Sequence, residues 1–205
     1  MNDQGDRREL AGESDDAPGL VEGVTTKVLL EGDRFKRTLT RMAHEIIEQV
    51  PSDEEFALVG IQRRGVELGA RLVDLIEEFT GRRPLTGSID ITFYRDDVDT
   101  RVPSPAYDQP IVHSTSLPFD VGGKTIVIVD DVLYTGRTIR AAIDALFDYG
   151  RPSAVRLAVL IDRGHRELPI RPDFVGKNVP TSRSERVTVL LQEVDGKDEV
   201  ILEKG

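Results

Sequence analysis

The chain of 205 residues contains no cysteine and no tryptophan. A disulfide framework, a thiolate metal site and a cysteine nucleophile are thereby excluded. The absence suits a reducing compartment, and a cytoplasmic location is the expectation. Long apolar runs are also missing. The longest are strand-sized, too short for a helix that crosses a membrane, and the polar, acidic first residues do not make a signal peptide. Histidine is scarce: His44, His113 and His165 lie far apart and show no metal-ligand spacing. Positive charge is outweighed, with a formal net charge of −10. That argues against indiscriminate binding to nucleic acid.

The charge is uneven. The first 33 residues carry nine acidic and three basic side chains, which accounts for −6 of the total. Residues 1–23 read as a disordered acidic tail, and 24–205 as a single domain long enough for a sizeable core. From Asp162 to Arg186 there are six Lys/Arg against four Asp/Glu. This is the most basic stretch, so a local basic face is compatible with the acidic whole.

The stretch Thr125-Ile-Val-Ile-Val-Asp-Asp-Val-Leu-Tyr-Thr-Gly-Arg-Thr138 organises the rest. Ile126 to Val129 is an unbroken β-branched run, suited to a strand buried on both faces of a parallel sheet. Asp130 and Asp131 are read as standing where that strand ends. Thr135 to Thr138 then turns into a helix with apolar Ile139, Ala142, Ile143, Leu146 and Phe147, closed by a C-cap at Gly150. Ligands of open α/β sheets sit beyond the carboxyl ends of the strands. A small loop with Gly136 lets backbone amides converge, and a helix N-terminus adds partial positive charge; together they suit a phosphate. Two carboxylates repel phosphate, so they should face ribose hydroxyls of the same ligand. The bland alternative is a strand-to-helix turn with two solvated aspartates and a threonine N-cap.

The remaining chain repeats the theme. Arg34 to Val50 has Phe35, Leu39, Met42, Ala43, Ile46, Ile47 and Val50 at helical spacing, with Thr40, Arg41 and His44 on the polar side. Phe56 to Ile61 is a second buried strand. Gln62-Arg63-Arg64-Gly65 and a helix from Val66 to Phe79 follow it. Two arginines in a compact loop on the same sheet edge suit a pyrophosphate. Ser88 to Tyr94 alternates as a strand. The long polar segment Arg95 to Asp120 has the character of a lid, with Tyr94, Arg95 and Arg101 placed to close over a charged ligand. Gly122-Gly-Lys-Thr125 is not a Walker loop, because Pro118 replaces its first glycine and a strand follows it. Val24 to Leu30, Ser153 to Ile161, Val187 to Leu191 and Val200 to Leu202 read as strands. Residues 172–181 read as loop, and Asp195-Gly196 as a turn.

The motif around Asp130 resembles the phosphoribosyl pyrophosphate (PRPP) motif of type I phosphoribosyltransferases, and its wording is most similar to the PyrR family. The likeness runs from about Thr26 to Glu203. It includes Leu39-Thr-Arg-Met-Ala-His-Glu45, Gly60-Ile-Gln-Arg-Arg-Gly65 and Ile89-Asp-Ile-Thr-Phe-Tyr-Arg-Asp-Asp97. It continues through Asp162-Arg-Gly-His-Arg-Glu-Leu-Pro-Ile-Arg171 and Gly176-Lys-Asn-Val-Pro-Thr-Ser182. The resemblance implies an α/β fold with a central, mostly parallel sheet flanked by helices, a small hood and a flexible lid loop.

It further implies a uracil phosphoribosyltransferase that also regulates pyrimidine biosynthesis by binding the pyr leader mRNA, with UMP or UTP as effector. A transferase without RNA regulation, or one for another base, is the alternative. By resemblance, Asp130 and Asp131 hold the ribose hydroxyls and are the catalytic carboxylates. Val132, Leu133, Tyr134, Thr135, Gly136, Arg137 and Thr138 complete the PRPP site. Arg63 and Arg64 lie in the pyrophosphate loop, Arg95 in the lid, and Val179 at the base. Thr40, Arg41, His44, Arg166, Arg171 and Lys177 form the RNA face. Mg²⁺ enters with PRPP and needs few protein ligands. A homodimer or larger homo-oligomer is implied, with no membrane partner.

Overall fold

The computed structural model describes residues 25–50, 55–94 and 114–204. The readings placed on the acidic tail, Arg95, Arg101 and His113 lie outside the described residues. In chain order the elements are β1 (Thr25–Glu31), α1 (Gly32–Gln49), β2 (Phe56–Ile61), α2 (Arg64–Thr80), β3 (Leu85–Ile89) and a 3₁₀ turn (Thr92–Tyr94). Then come β4 (Thr125–Leu133), α3 (Arg137–Phe147), β5 (Ala154–Asp162), β6 (Phe174–Asn178), β7 (Glu185–Leu190), α4 (Gln192–Asp195) and β8 (Glu199–Lys204).

Five strands form a parallel sheet in the order β3-β2-β4-β5-β6. β2 and β4 run side by side, with Gly60 opposite Val129. Because the strands are parallel, their carboxyl ends share one edge. The β-branched runs work here because both faces are covered. Leu58, Val127 and Val129 pack into one core with α1 and α2; Ala57, Val59, Ile126 and Ile128 pack into the other with α3. α1 buries Phe35, Leu39, Met42, Ala43 and Ile46, one stripe of the helix. A second, antiparallel sheet has the order β1-β8-β7. Its Val187, Val189, Val200 and Leu202 join the α1–α2 core, so this small hood shares packing with the main body.

Several boundaries differ from the sequence reading. The strand expected over Ser88–Tyr94 stops at Ile89. Asp90 turns the chain there, because its Oδ1 accepts the Thr92 amide at 2.8 Å and the Thr92 hydroxyl at 2.5 Å. Residues 174–178 are not loop but the edge strand β6, with Phe174 fully buried. Gly176 allows that strand to lie against α1, since a Cβ there would stand 2.9 Å from Thr38 and 2.4 Å from the Leu160 carbonyl. α3 is capped at Asp148, whereas Gly150 lies beyond it with φ 144°. Asp195-Gly196 is the end of the short helix α4 and its left-handed cap.

Candidate active site

β4 does not end before the aspartates. It continues through Asp130 and Asp131 to Leu133, with Asp130 paired to Val159 and Val132 to Ile161 of β5. The pair is therefore held by strand geometry. The Asp131 amide donates to Asp130 Oδ1 at 2.9 Å, and the Val132 amide donates to Asp131 Oδ1 at 2.7 Å. Asp130 is buried, and burial together with the Asp131 charge pushes its carboxyl well above the usual carboxylate range. Burial also raises Asp131; the Val132 amide and the Arg64 charge act in the opposite sense. Two adjacent, poorly solvated acceptors are matched to paired hydroxyl donors.

The loop that follows turns at Gly136, whose φ of 93° is a left-handed conformation that glycine adopts without penalty. Gly136 itself is the N-cap of α3, where the alternative reading had a threonine; the Thr135 hydroxyl accepts the Arg137 amide at 3.3 Å. The loop is moulded from behind by the segment after β5. The Arg163 amide donates to the Leu133 carbonyl at 3.1 Å, and the Glu167 and Leu168 amides donate to the Thr135 carbonyl at 3.0 and 3.1 Å. Arg166 Nη1 donates to the Tyr134 carbonyl at 2.9 Å. The Arg137 side chain pairs with Glu167 at 2.8 Å. The Tyr134 ring lies under the Arg163 guanidinium, 4.2 Å from its centroid, with the His165 ring edge-on at 5.9 Å. The carbonyls of Leu133, Tyr134 and Thr135 are committed to this mould, which fixes the shape of the loop.

Sequence reasoning missed Arg163 and His165. Arg163 is buried and donates to the Thr181 hydroxyl and to the carbonyls of Ser182 and Glu185. It thus links the Gly136 loop to the strand region of the hood. Four basic residues directly after a strand were a signal that this stretch had a task, but not which one.

The second loop, Gln62–Gly65, stands across the same edge. The Gln62–Arg63 peptide is cis. α2 begins at Arg64 and comes down almost onto β4: a Cβ on Gly65 would lie 2.3 Å from the Val129 carbonyl oxygen, and one on Gly60 2.4 Å from Val66 Cα. Glycine at both positions brings the loop beside Asp130. Arg64 is gripped from the hood, with Nε and Nη2 donating to Asp195 at 3.2 and 2.9 Å.

Gln62, Arg63 and Arg64, the two aspartates, Val132 and Thr138 at the start of α3 line one cleft of about 350 Å³, together with Asp90 and Thr92. Asp90 is buried, and its Oδ2 has no hydrogen-bond partner. Among the described residues no group of three His, Cys, Asp or Glu side chains is arranged to hold a metal unaided. Val179 is buried in the core shared with the hood, and its amide donates to the Asp162 carbonyl at 2.8 Å.

The residues of the expected RNA face separate into two settings. Thr40, Arg41 and His44 lie on α1. Arg41 reaches β6, donating to the Val175 and Gly176 carbonyls at 3.0 and 2.5 Å, next to Lys177. His44 stacks on Phe79 with 4.3 Å between ring centres and an 8° tilt. Arg171 is exposed. Arg166 instead spends its guanidinium on Tyr134, Gly164, Ile170 and Asp162. No helix among the described residues is long and apolar enough to cross a membrane.

Comparison with known proteins agrees with this geometry. A family model described as a phosphoribosyl transferase domain matches residues 25–190. A protein of Roseiflexus sp. named Bifunctional protein PyrR is 58% identical over 83% of this chain and 90% of its own length. Proteins of the same name from Pelotomaculum thermopropionicum and Chloroflexus aurantiacus are each 56% identical, over 85% and 87% of this chain and 93% and 96% of theirs. Among solved structures, a hypoxanthine phosphoribosyltransferase from Staphylococcus aureus superposes with a TM-score of 0.62 at 17% identity, covering 85% of this chain and 90% of that one. One from Trypanosoma cruzi gives 0.62 at 16%, covering 86% and 95%. At such identity the structures speak for the fold alone.

Proposed function

The chain belongs to the PyrR family of phosphoribosyltransferases, and from that premise we propose that it makes UMP and pyrophosphate from uracil and PRPP and binds pyr leader mRNA under the control of UMP or UTP. The observation that carries the reading is one cleft that joins the Gln62–Gly65 loop, the Asp130–Asp131 pair and Thr138 of the Gly136 loop. Those parts match, in order along the sheet edge, a pyrophosphate, a ribose diol and a 5-phosphate.

Asp130 and Asp131 accept from the ribose hydroxyls. Residues 132–138 receive the phosphate on loop amides, the Thr138 hydroxyl and the start of α3. Arg63 and Arg64 face the pyrophosphate. The segment at Val179 borders the base, and Arg95 belongs to the lid that keeps water out. In the reaction the bond from the anomeric carbon to pyrophosphate breaks while a bond to the uracil ring nitrogen forms, and that nitrogen loses its proton. By analogy with glycoside cleavage, the transition state carries positive charge on the sugar. The Asp130 and Asp131 carboxyl oxygens hold the ribose in place beneath that charge, and the arginine loop stabilises the departing anion. No covalent protein intermediate is needed.

Phosphoribosyltransferases generally use Mg²⁺ with PRPP. The donor set fits an ion that arrives with its substrate: there is no preformed cage, yet Asp90, Asp130 and Asp131 line one cleft and Asp90 Oδ2 lacks a partner. Bound there, the ion would neutralise charge on the pyrophosphate.

For RNA, Thr40, Arg41, His44, Arg171 and Lys177 supply the contact groups on the α1–β6 side and the segment after β5, with Arg and Lys on phosphates and the polar groups on loop bases. A homodimer or larger homo-oligomer would present such faces in pairs. A cytoplasmic setting, where PRPP and nascent mRNA meet, suits both activities.

The test is pyrophosphate release from PRPP and Mg²⁺ with uracil, hypoxanthine, guanine, adenine and orotate in parallel. Release with uracil alone is expected; release with a purine and none with uracil would sink the base assignment. Titration of a labelled pyr leader RNA with and without UMP tests the second activity, and an affinity that UMP leaves unchanged counts against effector control.

A further inference from the structure

We infer that Asp195, at the end of α4 in the hood, is a positioning residue for the pyrophosphate loop: it grips the Arg64 guanidinium by one edge and leaves the other end for the ligand. The inference rests on the reading of Arg64 as a pyrophosphate contact. Asp195 takes Nε and Nη2 of Arg64, at 3.2 and 2.9 Å. That is the side-on, two-bond geometry in which a planar fork is fixed in orientation as well as distance. Nη1 is not used in that grip, and Arg64 lines the cleft together with Asp131. Its charge reaches Asp131, where it opposes the rise that burial imposes. The hydrogen bond from Arg64 in turn holds the Asp195 carboxyl below the usual carboxylate range.

Asp195 is itself held. Its Oδ2 accepts the Leu191 amide at 2.9 Å, and its own amide donates to the Leu191 carbonyl at 2.6 Å. A second clasp fixes the same segment to the same helix. Arg71 donates to Glu193 at 2.8 and 2.6 Å and to Asp198 at 2.7 Å. Arg64 and Arg71 are seven residues apart, two turns along one face of α2. The acidic segment 193–198 is thus a saddle on that face, and the member nearest the cleft is Asp195. A partly exposed ion pair contributes little to stability by itself. Its more consequential effect is to order a long side chain before the ligand arrives, so that less freedom is lost on binding.

The test compares wild type, Asp195→Asn, Arg64→Ala and the double variant. It measures KM and kcat for PRPP in the uracil reaction, and the affinity for UMP, which has no pyrophosphate. Asparagine keeps an acceptor for the Leu191 amide, and Asp195→Glu, with the carboxylate displaced by one methylene, serves as the second variant. Both single changes at position 195 are expected to raise the PRPP KM about tenfold with a much smaller effect on kcat. UMP affinity should stay within about twofold of wild type, and the effect should vanish in the Arg64→Ala background. An unchanged PRPP KM, an equal loss of UMP affinity, or the same loss with Arg64 absent would overturn the inference. A wild-type protein that binds neither PRPP nor UMP would instead overturn the functional reading beneath it.

Discussion

Arg166 donates Nη1 to the Tyr134 carbonyl at 2.9 Å and Nη2 to Asp162 Oδ2 at 2.6 Å. A residue that resemblance assigns to the RNA face is therefore built into the wall of the Gly136 loop. Replacing it should disturb two activities at once. For Arg166→Ala, UMP affinity is expected to fall about tenfold or more, because a partly buried carbonyl and a carboxylate each lose a charged donor. RNA affinity should fall with it. Arg171→Ala, at an exposed position, should weaken RNA alone and lower the salt slope of binding by about 1. Paired titrations with UMP and RNA would decide; normal UMP affinity in Arg166→Ala would refute the structural assignment.

The aspartate pair places function against stability. The folded-state pKa of Asp130 lies above its ordinary value because of burial and the Asp131 charge. A raised pKa means that the proton stabilises the fold. That contribution is complete below the ordinary carboxylate value of about 3.9 and is lost as pH rises through the folded value. Above the ordinary value, the buried position of Asp130 therefore costs stability. Asp130→Asn keeps the acceptor for the Asp131 amide and removes the charge. Its melting temperature should exceed that of wild type at pH 7, with the gain shrinking towards pH 4, while turnover with PRPP falls by more than tenfold. Melting curves at the two pH values provide the check, and the absence of any gain at pH 7 would count against the argument.

Gly136 is constrained by its backbone and by its neighbours. At φ 93°, with a Cβ that would lie 3.4 Å from Leu168 and 3.5 Å from Ile170, Gly136→Ala should cost about 1–2 kcal/mol. It should also weaken UMP binding by tilting the loop. Chemical denaturation and calorimetric titration report the two effects separately.

Two glycines on α2 make a contrast. A Cβ on Gly65 would lie 2.3 Å from the Val129 carbonyl oxygen, whereas one on Gly69 would have nothing nearer than 3.9 Å. Gly65→Ala is expected to destabilise by about 3 kcal/mol, since the helix start must back away from β4. Gly69→Ala should be neutral, or stabilising by up to about 1 kcal/mol. Equal behaviour of the two variants would mean that the close approach of α2 to β4 is not rigid.

The sequence by itself determined the strand-and-loop units of the cleft. Ile126–Val129 and Phe56–Ile61 are read correctly because an unbroken β-branched run fits a strand covered on both faces. The turn at Gly136 and the short loop between β2 and α2 are legible because turns are local chemistry. Strand ends were less legible. Nothing local shows that β4 continues through two aspartates; the hydrogen bonds that hold them in strand come from β5. Residues 174–178 look like loop until β5 pairs with them and Phe174 finds the core. Only the tertiary structure decided the supporting contacts. The bonds from Arg163 and Arg166 to the Gly136 loop, and from Arg64 to Asp195 across 131 positions of chain, join segments whose spacing carries no periodic signal. Hydrophobic periodicity specifies which face of an element is buried; it says nothing about which distant polar group will meet the element's end once the sheet has assembled.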